Sequence, residues 1–181
     1  MHYPDKIDLD RIASKDDNRP HLCQPYLDTT DEGDPRIVAC DGHRLVAVSV
    51  ELDEGDVTGP VPRGAMKAAA DKSVAGVSML SCGGTDIRCD AAGVTFDRPQ
   101  GLDPFPDWRA IVPKRKSTVH VTLNAKLLRE IGQSVGTEIV TLHLVPDEGG
   151  NVVDQIRVEP ACCDAKTIAV LMPIVSSGSE G

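Results

Sequence analysis

The feature that most restricts what this chain can fold into is a recurrence: a helix-like segment followed by short strands, met three times within 181 residues. In the first stretch, Ile7–Ser14 has room for a helical turn or two, Lys15–Pro20 is a polar loop, and Leu22–Leu27 reads as a strand interrupted by Pro25. Arg36–Cys40 and His43–Val50 then flank Asp41-Gly42. An Asp-Gly pair between alternating apolar runs is a strong hairpin signal, because both central positions of the favoured tight turn need a positive φ. In the second stretch Pro62 suits the first turn of a helix running to Asp71 or Lys72, and Ala65, Met66, Ala68, Ala69 and Ala70 favour helix. Strands follow at 77–81, 86–89 and 94–97, with glycine-rich turns between them. The third stretch opens with a strand at 118–123, and Asn124 caps a helix to about Gln133 that carries Leu127, Leu128 and Ile131 on one face. Its strands are expected at 139–145, 152–158 and 166–172.

Helices alternating with antiparallel hairpins, rather than with single strands, specify an α+β fold with helices on one face of antiparallel sheets. Arg98–Lys116 is rich in Pro and Gly and reads as a linker, and Ser176–Gly181 as a disordered tail. The expected division is residues 1–108, residues 109–175 and the tail 176–181.

Composition narrows the function classes. Aromatic residues are only 3%, so the core rests on Val, Leu, Ile, Ala and Met, and stacking platforms for single-stranded nucleic acid are disfavoured. The formal charge of −9 means that any grip on DNA must come from a local basic face. No apolar run approaches a membrane span and the start, MHYPDKIDLD, lacks signal-peptide character, so a cytoplasmic chain is expected. Six cysteines are therefore read as reduced thiols; Cys40 and His43 have metal-ligand chemistry, but no second pair stands at matching spacing. No cofactor or metal is expected.

Four segments carry a resemblance. Ala39-Cys-Asp-Gly-His-Arg-Leu-Val46 is similar to the Ala-Thr-Asp-Gly-His-Arg-Leu-Ala segment of the bacterial DNA sliding clamp, the beta subunit of DNA polymerase III, with Cys40 in place of Thr. Ser14-Lys-Asp-Asp-Asn-Arg-Pro20 resembles the acidic loop of that family's middle domain. Phe105-Pro-Asp-Trp-Arg109 with Ile111-Val-Pro113 resembles its Phe-Pro-Asp-Tyr-Arg segment, and Ala169-Val-Leu-Met-Pro-Ile174 its closing strand. The four stand in the family's order. The resemblance implies a shortened clamp, of phage or mobile-element type, that retains three helix-plus-strands repeats where a bacterial clamp chain has six. Residues 1–108 would correspond to a middle domain with a truncated start, and 109–175 to half of the last domain.

Carried over residue by residue, the resemblance implies a cleft for short linear motifs of polymerases and repair proteins, formed by Leu22, Cys40, Gly42, His43, Arg44, Leu45, Pro113, Val170, Met172 and Ile174. The chemistry fits: Val170, Met172 and Ile174 alternate, methionine adapts to varied apolar side chains, and Gly42 permits close backbone approach. It further implies loose, sequence-independent contact with duplex DNA through Lys15, Arg19, Arg63, Lys67, Lys72, Lys126 and Arg129. Each residue also has a plain reading: Asp41-Gly42 as a mere turn, the alternating apolar residues as core, His43 as a turn residue, and the cations as a solvated helix surface.

Three functions follow from these readings. The first is a processivity factor assembling as a homo-oligomer, since four chains of three repeats would supply the twelve of a full ring. The second is an adaptor or competitor that binds the same peptides and forms no ring. The third is a Cys/His enzyme built on Cys40, Asp41 and His43, disfavoured because adjacency in sequence does not orient a base against a thiol.

Overall fold

The computed structural model describes residues 1–31, 33–112, 121–134, 136–146, 153–160 and 169–173. The chain divides into two compact units, Met1–Val112 and Pro113–Gly181. The described residues form antiparallel sheets with few helices, an α+β architecture as expected.

In the first unit, one four-stranded antiparallel sheet has the order β4-β3-β2-β5, where β2 is Tyr26–Asp28, β3 Arg36–Cys40, β4 Leu45–Ser49 and β5 Gly59–Pro60. The central strand β3 buries four consecutive residues, Ile37 to Cys40, which is why it reads as a continuous apolar run rather than an alternating one. A three-stranded sheet joins β7 (Ser81–Cys82), β8 (Asp86–Cys89) and β9 (Val94–Asp97). Here β8 alternates, with Ile87 and Cys89 buried and Arg88 exposed. A two-stranded sheet pairs β1 (His2–Pro4) with β6 (Val77–Met79).

Helix α1 (Ala65–Ala70) turns Ala65, Met66 and Ala69 inward, the three- and four-residue spacing that puts side chains on one helical face. They pack with Tyr3, Leu9, Leu27, Ile37, Val61, Leu80 and Ile87 in one core. The Tyr3 hydroxyl donates to the Met66 carbonyl at 3.0 Å, so even this buried ring keeps its polar end satisfied. Helix α1 starts three residues later than Pro62 suggests, because Gly64 stands before it at φ +83°. That conformation suits a residue without a Cβ, and the Gly64 amide donates to the Asp10 carboxylate at 2.9 Å.

Several expectations are corrected by tertiary contacts. The helix expected over 7–14 is a single 3₁₀ turn at Leu9–Arg11. Leu22 ends a second 3₁₀ turn, Pro20–Leu22, and the strand begins only at Tyr26, just past Pro25. The segment read as a linker is packed structure over residues 98–112. Its first residue, Arg98, is buried and donates to the carbonyls of Thr58 and Val57, both at 3.0 Å. Farther along, a short helix α2 (Trp108–Ile111) starts at Asp107, whose carboxylate accepts the Ala110 amide.

In the second unit, helix α3 (Ala125–Ser134) is capped as expected, the Lys126 amide donating to the Asn124 side chain at 3.0 Å. Strands β10 (Val140–Pro146), β11 (Val153–Pro160) and β12 (Ala169–Leu171) form an antiparallel sheet in that order. Ile156, Val158 and Leu171 are its buried centre, packed by Leu128 and Ile131 of α3. Leu127, expected on the same face, is 45% exposed, because the hundred-degree step per residue carries it to the helix flank. Residues 121–123 are not a strand, and residues 118–120, 166–168 and the tail 176–181 lie outside the described residues.

Candidate partner-binding cleft

The Asp41-Gly42 turn is built by local chemistry. One oxygen of the Asp41 carboxylate accepts the backbone amides of His43 at 2.9 Å and Arg44 at 3.0 Å; the other accepts Arg44 Nε at 2.9 Å. The His43 amide, then burial against it, then the Arg44 groups set the balance that holds the Asp41 carboxyl below its ordinary range. Gly42 has φ +93°, and a Cβ there would stand 2.9 Å from an Arg19 nitrogen. The turn thus projects His43 outward, while Arg44 is pinned by Asp41 and by the Arg11 carbonyl at 3.0 Å.

Beside this turn is a cleft of about 230 Å³ lined by Leu22, Cys40, Gly42, His43, Arg44, Leu45, Pro106, Trp108 and Ile111. Six of the ten residues that the sequence suggested for peptide binding meet here. Val170 and Met172 belong to the second unit, where they are 50% and 60% exposed on either side of buried Leu171. Pro113 and Ile174 lie outside the described residues.

Three walls of the cleft were missed by sequence reasoning: Pro106, Trp108 and Ile111. One signal was available, because Trp108 is the only tryptophan of an aromatic-poor chain. Its placement depends on Asp28, a buried carboxylate on β2. Asp28 accepts the Trp108 indole N–H at 2.7 Å, an Arg109 guanidinium N–H, and both the amide and the hydroxyl of Thr30 at 2.9 and 2.5 Å. Burial by itself would raise the Asp28 carboxyl, but the donors from Thr30, Trp108 and Arg109 outweigh it and hold the group at about 2. Arg109 also donates to the Asp34 carbonyl at 3.1 Å and lies 4.3 Å from the Trp108 ring centre. The indole is therefore fixed from behind, leaving the cleft with a rigid aromatic wall.

Ile111 is 66% exposed at the opening, a large apolar side chain that folding of this unit leaves uncovered. Cys40 is 7% exposed, and burial raises its thiol above the ordinary range, with the Gly42 amide opposing and Asp41 adding to the rise. A buried thiol with a raised pKa is a weaker nucleophile than a thiolate. The cleft is suited to apolar side chains, with His43 as a polar group at the lip.

The basic residues suggested for DNA contact fall into two groups. Arg63 donates to the Cys23 carbonyl at 2.6 Å and the Ser14 carbonyl at 2.5 Å, Arg19 pairs with Asp16 at 2.9 Å, and Lys126 lies 3.8 Å from Glu130. These three have structural partners. Lys15, Lys67, Lys72 and Arg129 are exposed and have no ion-pair partner among the described residues. Arg129 and Lys126 lie on the second unit, the other five on the first.

Among the described residues, no helix is long and apolar enough to cross a membrane, and no three His, Cys, Asp or Glu side chains group as a metal set. The chain matches no protein-family model and no curated protein. Among solved structures it is similar to a DnaN sliding clamp (DNA polymerase III subunit beta) from Bartonella birtlesii, crystallised bound to griselimycin, with a TM-score of 0.69 at 20% identity. The similarity covers 98% of this chain and 51% of the clamp chain, so this chain spans about half the length of that clamp. What the likeness establishes is the fold: the chain has a sliding-clamp-like architecture.

Proposed function

We propose that this protein is a clamp-like binding protein whose cleft receives short linear motifs of DNA polymerases or repair proteins, and that it acts as a processivity factor. The observation that carries the reading is the convergence of Leu22, Cys40, Gly42, His43, Arg44 and Leu45 on one cleft, closed by Trp108 and Ile111. These residues come from a 3₁₀ turn, a hairpin and a connector far apart in sequence, and their shared surface is largely apolar. Such a cleft is suited to an extended peptide that contributes a few apolar anchors. A clamp-like fold supports the assignment at the level of architecture.

The decisive experiment is a fluorescence anisotropy titration with a labelled clamp-binding peptide, using an anchor-less scrambled peptide as control. Saturable binding of the first alone supports the reading; equal binding of both, or none, overturns it.

A processivity role adds two expectations. The chain would assemble as a homo-oligomer around duplex DNA in a cytoplasm, and Lys15, Lys67, Lys72 and Arg129 would supply its loose phosphate contacts. Because Arg19, Arg63 and Lys126 have partners of their own, that contact is weak and vanishes with added salt. The second reading, a peptide-binding adaptor that forms no ring, is favoured by the same partnered cations and the charge of −9. Light scattering with and without duplex DNA separates the two: a monomer under both conditions selects the adaptor.

A further inference from the structure

The first unit has another cavity, of about 220 Å³, immediately next to the cleft. Leu22 and Pro106 line the cleft, while their chain neighbours His21 and Phe105 line this cavity. One wall is aromatic: the Tyr26 and Phe105 rings stack with centroids 4.7 Å apart and planes within 10°. In a chain with one Trp, two Tyr and two Phe, this wall uses two of its five aromatic side chains.

The polar lining comes from His21, Gln100 and Asp103. His21 Nδ1 is shielded from solvent and has no hydrogen-bond partner among the described residues. The Asp103 carboxylate stands 4.0 Å from it, too far for a hydrogen bond, and its side chain is 82% exposed. The Gln100 amide nitrogen is engaged by the carbonyls of Arg98 and Gly84 at 3.1 and 3.5 Å, which leaves its oxygen free to accept. Among the described residues, no Lys or Arg lines the cavity. A sheltered nitrogen without a partner costs stability.

We propose that this cavity takes a guanidinium group: the side chain of an arginine in a partner peptide seated in the neighbouring cleft. A guanidinium is planar, carries five donors for the Gln100 oxygen and the Asp103 carboxylate, and is weakly enough hydrated to lie against aromatic rings. The peptide as its source rests on the cleft reading above; the guanidinium site itself does not. An extended peptide advances about 3.3 Å per residue, so an arginine a few positions from the apolar anchors reaches from one cavity to the next.

The test has two arms on the full chain. In the first, amide chemical shifts are followed while N-acetyl-arginine methylamide or its uncharged isostere, N-acetyl-citrulline methylamide, is added. The arginine derivative is expected to shift residues 21, 26, 100–103 and 105 saturably, with the citrulline derivative and the Asp103→Asn variant each weakening the response about fivefold or more. Equal shifts from both compounds, shifts elsewhere, or indifference to Asp103→Asn overturn the site.

In the second arm, labelled cleft-binding peptides carrying arginine or citrulline beyond the anchors are titrated. The arginine peptide is expected to bind about three- to tenfold tighter to the wild-type protein and equally to Asp103→Asn. Two peptides of equal affinity for the wild-type protein refute the arginine link and leave the cleft intact. Binding of the arginine derivative without binding of either peptide refutes the cleft and upholds the guanidinium site.

Discussion

Asp28→Asn is the substitution that best probes how the cleft is held open. The Asp28 carboxylate is buried and collects four donors from Thr30, Trp108 and Arg109. Its pKa falls from the ordinary 3.8 to about 2. A depression of that size corresponds to about 2 kcal/mol of native-state stabilisation at neutral pH. The sign is that of a carboxylate whose folded pKa is depressed: the contribution is complete above about pH 4 and is lost as pH falls towards 2. Asparagine keeps the volume but has one acceptor oxygen, and its amide faces donors instead of accepting from them. The variant is expected to lose about 2–3 kcal/mol at pH 7. Urea denaturation followed by tryptophan fluorescence measures this directly, since Trp108 is the only tryptophan and reports on the first unit alone. Repeating the titration between pH 7 and pH 2 shows whether the difference between the two proteins shrinks as Asp28 is neutralised. A loss below about 0.5 kcal/mol at pH 7, or a difference independent of pH, refutes the anchoring role.

Three further outcomes are expected. Ile111→Asp puts a charge on an already exposed side chain at the mouth of the cleft, so stability should stay within about 0.5 kcal/mol while peptide affinity drops about tenfold or more, both read by the titrations above. Gly42→Ala forces a Cβ onto a backbone at φ +93° and towards Arg19; it should cost about 1–2 kcal/mol in the denaturation midpoint and weaken peptide binding by deforming the turn. Arg63→Ala removes the donors to the Cys23 and Ser14 carbonyls from an exposed side chain, so about 1 kcal/mol of stability should be lost. Its duplex DNA association in low salt, measured by anisotropy, should match wild type, and a selective loss of DNA association with unchanged stability contradicts the structural role.

The amino-acid sequence by itself determined what short-range interactions decide. The Asp41-Gly42 hairpin needs only a carboxylate and two amides within three residues, and the Asn124 cap only an amide two residues on, so both were legible. Alternation and apolar runs likewise revealed most strands and the α+β class. Cys40 and Gly42 to Leu45 were singled out as cleft residues by the resemblance to the clamp family, since spacing alone marks only a turn and its flanks. Tertiary structure decided the rest. The anchor of Trp108 is Asp28, eighty positions away, and Arg63 reaches carbonyls forty and forty-nine positions away. A carboxylate or guanidinium looks the same in sequence whether it faces water or a distant partner, and only chain folding chooses between them. That choice set the buried Trp108 against the cleft and Arg63 against the Cys23 and Ser14 carbonyls.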